Sequence, residues 1–172
     1  MKIKQPKCWK HNNILTLLLS PFSIIYYLAF KIRHLFYKSY QPKIPVICIG
    51  NANIGGTGKT PVAISIGKML INQGYKIAYL TRGYGGELKG PVIVDNNIHS
   101  ANDVGDEALL LSGVATTYVG QNRVLALKQI EKEDFQIVIM DDGLQNPSID
   151  KSLSFLVIDG TYGVGNGKLI PA

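Results

Sequence analysis

Residues 46–61 read VICIGNANIGGTGKTP. Four apolar residues, Val46 to Ile49, run without interruption into a turn that carries Gly50, Gly55, Gly56 and Gly58 and closes on Lys59 and Thr60. An apolar run of this kind bounded by glycine reads as a strand buried on both faces. The stretch from Lys59 to Gln73 reads as a helix that stops before Gly74. Strand, glycine-rich turn and helix, in that order, make the context that a phosphate-binding loop requires. The glycines let backbone N–H groups face phosphate oxygens, the lysine reaches the β and γ phosphates, and the threonine hydroxyl sits on Mg²⁺. The loop so defined is Asn53, Ile54, Gly55, Gly56, Thr57, Gly58, Lys59 and Thr60, and its ligand is a nucleoside triphosphate. Asn53 stands where the pattern usually has its first glycine. An accidental Gly-rich turn is the alternative, and the acidic strand end downstream argues against it.

Outward from this loop, short apolar runs alternate with helical stretches. Val46 to Ile49, Lys76 to Leu80, Val92 to Val94, Thr117 to Val119, Phe135 to Met140 and Phe155 to Asp159 read as strands. Lys59 to Gln73, Asp106 to Leu111 and Asn122 to Glu131 read as helices. The alternation predicts an α/β fold of the P-loop NTPase kind, with a mostly parallel sheet flanked by helices.

Three acidic features belong to the same reading. FQIVIMDDG places Asp141 and Asp142 at the carboxyl edge of a strand, where ligands of such sheets bind. One would hold Mg²⁺ through its water shell and the other would orient a substrate or a water. A solvated strand end before the Gly143 turn is the alternative. NDVGDEALLL adds Asp103, Asp106 and Glu107 where a loop enters a helix. Asp106 is the better candidate for the base that accepts a hydroxyl proton during phosphoryl transfer, with a plain helix cap as the competing role. Two further Gly-rich loops, Thr81 to Gly86 and Gly160 to Lys168, together with Arg82, Arg123 and Lys168, are either phosphate or substrate clamps or ordinary surface loops.

Ahead of the α/β pattern lies a different kind of sequence. Residues 1–43 carry eight Lys and Arg and no acid, so the net charge of +6 belongs to this segment. Ile14 to Phe30 runs seventeen residues without a charge, short of the roughly 20 that span a hydrocarbon core. Pro21 breaks or kinks the run, and Tyr26, Tyr27, Tyr37 and Tyr40 suit a headgroup boundary. An interfacial helix pair on an anionic membrane surface is the preferred geometry; a spanning anchor, a core helix and a cleaved leader are the alternatives. The division predicted is 1–43, membrane-associating, and 44–172, the P-loop domain.

Residues 44–172 hold ten basic and twelve acidic residues, so a basic nucleic-acid surface on the folded part is not expected. Cys8 and Cys48 make no disulfide framework, and His11, His34 and His99 share no metal-ligand spacing, so an all-protein metal site is not expected. Oligomeric state is not readable.

Read together, PVICIGNANIGGTGKTP, LTRGYGG, VGDEALLL, VGQNRVLAL, MDDGLQNPSI and DGTYGVGNGKLIPA resemble the tetraacyldisaccharide 4'-kinase family in order and spacing, from about Trp9 to Ala172. The resemblance implies ATP and Mg²⁺. The reaction it implies is transfer of the γ-phosphate to the 4'-hydroxyl of a tetraacyl glucosamine disaccharide 1-phosphate, a lipid A precursor, at the cytoplasmic face of the inner membrane. It also implies Lys59 and Thr60 as nucleotide and metal contacts, Asp106 as the base, and Glu107, Asp141 and Asp142 as metal and active-site acids. Gln145 would lie near the sugar, with Arg82 and Arg123 as substrate contacts. Many family members have His where this chain has Asn146, and they continue beyond the LIPA string into a second lobe, so this chain is expected to represent the first. A partitioning ATPase would carry lysine at Ile54, and a GTPase would carry an Asn-Lys-x-Asp string that does not occur. A membrane-associated P-loop ATPase and a nucleotide-binding remnant without transfer are the rivals that stay open.

Overall fold

The computed structural model describes residues 21–28, 31–32, 38–51, 58–158 and 160. Two compact units divide the chain, Met1–Tyr37 with Ile158–Ala172, and Lys38–Val157.

The second unit is an α/β layer structure. Its elements in chain order are β1 (Val46–Asn51), α1 (Lys59–Asn72), β2 (Ile77–Thr81), β3 (Val92–Ile93), α2 (Ala101–Val104), α3 (Asp106–Ser112), β4 (Thr117–Val119), α4 (Arg123–Ile130), β5 (Ile137–Asp141) and β6 (Leu153–Val157). The sheet order is β3-β4-β2-β5-β1-β6. Every neighbouring pair is parallel except β3 with β4, where Val92 faces Val119 and Ile93 faces Tyr118 in antiparallel register. Six predicted strands and three predicted helices are present, Thr117–Val119 with the expected ends and the others with shifted ones. The helix Ala101–Val104 is an addition, held by a capping box in which Asp103 returns to Ser100.

Side chains of a strand alternate between faces, and this periodicity sorts the core. Val46, Cys48, Ala78, Leu80, Val138 and Met140 meet Ala126, Leu127 and Ile130 of α4 on one face. Ile49, Ile77, Tyr79 and Ile139 meet Ala63 and Leu70 of α1 and Leu111 of α3 on the other. Asp141 shares its parity with Ile139, so its carboxylate falls on the α1 face.

The stretch 38–43 is tied to this unit. Tyr40 forms a parallel bridge with Ile149, its hydroxyl donates to Glu131 Oε2 at 2.6 Å, and Lys43 N donates to Glu131 Oε1 at 2.7 Å. In the first unit, residues 21–28 are helical, Pro21 included, and Phe22, Ile24, Ile25, Tyr26 and Leu28 are all more than half exposed. Among the described residues no helix is long and apolar enough to cross a membrane. Residues 1–20, 33–37 and 161–172, with Lys168 and Tyr37, lie outside the described residues.

Candidate functional site

The site forms where β1, β5 and the N-terminus of α1 meet. β1 and β5 are adjacent and parallel, with Ile49 opposite Asp141, so both strands deliver their carboxyl ends to one edge. Gly58 precedes α1 in the left-handed conformation at φ 78°, and the first turn of α1 has no acidic residue. Four N–H groups at a helix start have no partner within the helix, and the dipole there favours an anion.

Lys59 and Thr60, the first two residues of α1, each reach one of the paired aspartates. Lys59 Nζ lies 2.7 Å from Asp142 Oδ1 and 3.1 Å from Asn51 Oδ1. Thr60 Oγ1 donates to Asp141 Oδ2 at 3.1 Å. Asp141 is fully buried, and its Oδ1 has no hydrogen-bond partner among the described residues. Burial, then the nearby Glu107 charge, pushes its carboxyl up to about 6, against the Thr60 hydrogen bond and the Lys59 charge. An anionic oxygen left open in a dry site suits a hard cation. No group of three His, Cys, Asp or Glu side chains among the described residues could hold a metal unaided. Mg²⁺ commonly takes one or two carboxylates and completes its shell with water and phosphate oxygens, so Asp141 with Thr60 fits that pattern.

Asp142 is the one non-glycine residue at positive φ among the described residues, at 56°. Its N–H donates to Ile49 O at 2.9 Å, and its carbonyl accepts from Arg123 Nη2 at 2.6 Å. Arg123, read from the sequence as a possible clamp, is only 6% exposed. Arg82, just after β2, is exposed, and its charge bears on Arg123.

The third acidic cluster divides. Asp103 is spent on capping, since Ser100 N and Oγ both donate to its Oδ2 at 2.7 Å. Glu107 faces Asp141 closely enough to raise it. Asp106 opens α3, exposed, with Gly105 rather than itself at the cap position. It makes no hydrogen bond or ion pair with a described residue. The Gly-rich loop after β2 is stitched to this turn: Glu87 N donates to Asn102 O and Leu88 N to Asp103 O. A Cβ on Gly105, at φ 88°, would stand 2.4 Å from Tyr84 O, so the close approach demands glycine there.

Gln145 Nε2 donates to Asn51 O at 3.0 Å, joining the β5 loop to the end of β1. Asn146 accepts from Ser148 N at 2.8 Å in a local turn. Asn51, which both Lys59 and Gln145 address, was not singled out in the sequence; a buried polar residue closing an apolar strand is the signal that points to it. Asn53, Ile54, Gly55, Gly56 and Thr57 lie outside the described residues.

A parallel sheet whose edge gathers a lysine, a hydroxyl and two aspartates at a helix start defines the class: an α/β protein of the P-loop NTPase kind. The model of the family described as tetraacyldisaccharide-1-P 4'-kinase matches residues 15–172, and the chain belongs to that family. It is 43% identical over 175 residues to a tetraacyldisaccharide 4'-kinase of Parvibaculum lavamentivorans, covering 99% of this chain and 51% of that protein. It is 44% identical over 170 residues to one from Paramagnetospirillum magneticum, covering 99% and 52%. A crystal structure of LpxK from Aquifex aeolicus in complex with ATP superposes with a TM-score of 0.70 at 28% identity, covering 83% of this chain and 49% of that one. The chain thus spans about half the length of the relatives it matches.

Proposed function

We propose that this chain carries the ATP-binding and phosphoryl-transfer part of a tetraacyldisaccharide 4'-kinase of lipid A biosynthesis. The observation that carries the reading is the pairing of Lys59 with Asp142 and of Thr60 with Asp141 at the helix start. The loop 53–60 would cradle the triphosphate, and Lys59 would leave Asp142 for the β and γ phosphates. Thr60, Asp141 and Glu107 would hold Mg²⁺, whose charge neutralises the phosphates. Asp106, exposed and without a partner among the described residues, would accept the proton of the 4'-hydroxyl as the hydroxyl oxygen bonds to the γ phosphorus and the bond from that phosphorus to the β-phosphate oxygen breaks, releasing ADP. Arg82 and Gln145 would face the sugar phosphate. The exposed apolar helix at 21–28 and the basic charge around it support the segment ahead of residue 38 as one lying in the cytoplasmic face of the inner membrane; 38–43, bonded to Ile149 and Glu131, go with the kinase part and not with the membrane segment expected over 1–43.

The test is transfer of label from γ-labelled ATP to the disaccharide 1-phosphate in mixed micelles. Label in the lipid supports the kinase. Nucleotide binding without transfer supports a second reading, nucleotide binding alone. Absence of Mg-ATP binding defeats both. Lys59→Ala should abolish binding, whereas Asp106→Ala should spare it and cost about 10²- to 10⁴-fold in transfer; normal transfer by that variant would remove Asp106 from the role.

A further inference from the structure

We propose that Arg123 is a positioning residue: its buried guanidinium holds the Asp142 carbonyl, keeps that residue left-handed, and so aims the Asp142 carboxylate at Lys59. The functional meaning rests on the kinase reading, since it prepares Lys59 for the nucleotide; the linkage itself does not depend on it. Arg123 is placed at a cost. It is the first residue of α4, after the Asn122 cap whose side chain accepts from Leu125 N, so its charge sits at the positive end of the helix dipole. It is buried, Arg82 opposes it, and its Nε has no partner among the described residues. A phosphate clamp would present a free fork to solvent. Arg123 instead spends Nη2 on a backbone carbonyl at 2.6 Å. The residue that receives this bond has the unusual backbone, at φ 56°, and its carboxylate lies 2.7 Å from Lys59. Left-handed geometry is disfavoured for residues with a Cβ, for Asp less than for most, and bonds to its backbone hold it here. The Arg123 bond and the Asp142 N–H to Ile49 O hold the two peptide groups that flank the Asp142 Cα.

The test needs no nucleotide. Acylation of individual lysines in the full chain is followed by mass spectrometry in the wild type, Asp142→Asn, Arg123→Lys and Arg123→Ala, with Lys76 as an internal control. The side chain of Lys59 is 15% exposed and engaged, whereas that of Lys76 is 60% exposed, so the two begin well apart. Arg123→Ala should lose Lys59 protection to the level of Asp142→Asn with Lys76 unchanged. Arg123→Lys should retain part of it. Ethylguanidinium, and not an equal concentration of ethylammonium, should restore protection to Arg123→Ala. Lys59 staying protected in both Arg123 variants would overturn the proposal, as would equal gains at every lysine or no discrimination between the two additives. If Arg123→Ala does not fold, Arg123→Lys against Asp142→Asn decides alone. A wild type that behaves as expected here yet binds no mant-ATP sinks the kinase reading and leaves this linkage standing.

Discussion

Asp141 sits where the requirements of folding and of ligand binding oppose each other. Its carboxyl is buried beside Glu107 and pushed up to about 6 from 3.8. Between those values the folded chain keeps a proton that the unfolded chain has released, so this group's contribution to stability is full at low pH and is lost as pH rises through about 6. A shift of that size corresponds to about 3 kcal/mol. Asp141→Asn cannot ionise and should therefore melt higher than the wild type at pH 8, with the gap closing toward pH 4. The same variant should bind Mg-ATP more weakly. Parallel thermal melts across that range check the first half, and an Asn variant that is less stable at pH 8 would contradict it. Lys59, Thr60, Asp141 and Asp142 were legible in the sequence because their strand-end and helix-start positions follow from local pattern. Arg123 was legible as a charge for a clamp, but its burial was not. That burial depends on α4 packing against β2 and β4, a fact of long-range packing that leaves no mark on the residues around it.

At the scale of elements, α1 and β2 meet through one absent side chain. A Cβ on Gly67 would lie 1.8 Å from the Tyr79 hydroxyl oxygen and 2.7 Å from the ring carbon that bears it. That hydroxyl, fully buried, donates to Ala63 O at 3.2 Å, one helical turn earlier. Helix propensity alone would make Gly67→Ala stabilising by about 1 kcal/mol. Overpacking of a full core costs about 1–3 kcal/mol and should win. Gly67→Ala should lower the melting temperature, and adding Tyr79→Phe should recover part of the loss, because the nearest clashing atom is then gone. A more stable Gly67→Ala would mean that β2 shifts at no cost. Gly67 reads in the sequence only as a mild helix defect; the tyrosine that explains it lies twelve residues on, in another element. The four-residue α2 escaped the pattern for a related reason, being too short for periodicity and marked only by Ser100 and Asp103. The Gly-rich stretch after β2 approaches the same region: Tyr84 O lies against Gly105, and Glu87 and Leu88, just beyond the stretch, donate to Asn102 O and Asp103 O of α2.

For the molecule as a whole, strand direction was readable and strand order was not, since pairing links residues as far apart as Ile47 and Leu153. The order leaves β6 at the margin. Among the described residues no strand pairs on its outer side. Leu153 is 49% exposed and Phe155 39% on one face, and Leu156 53% on the other. Marginal strands are normally blunted by lysine, proline or a bulge, and this one is apolar from Leu153 to Val157 but for Ser154. Leu156→Lys should therefore reduce self-association in sedimentation runs at rising concentration. Unchanged association would assign it to another surface. Because what β6 offers is main-chain donors and acceptors, adhesion there would be indifferent to the sequence that arrives. Unrelated extended peptides should adhere as readily as a second copy, and in preparations of this chain purity, as much as concentration, would set the apparent particle size.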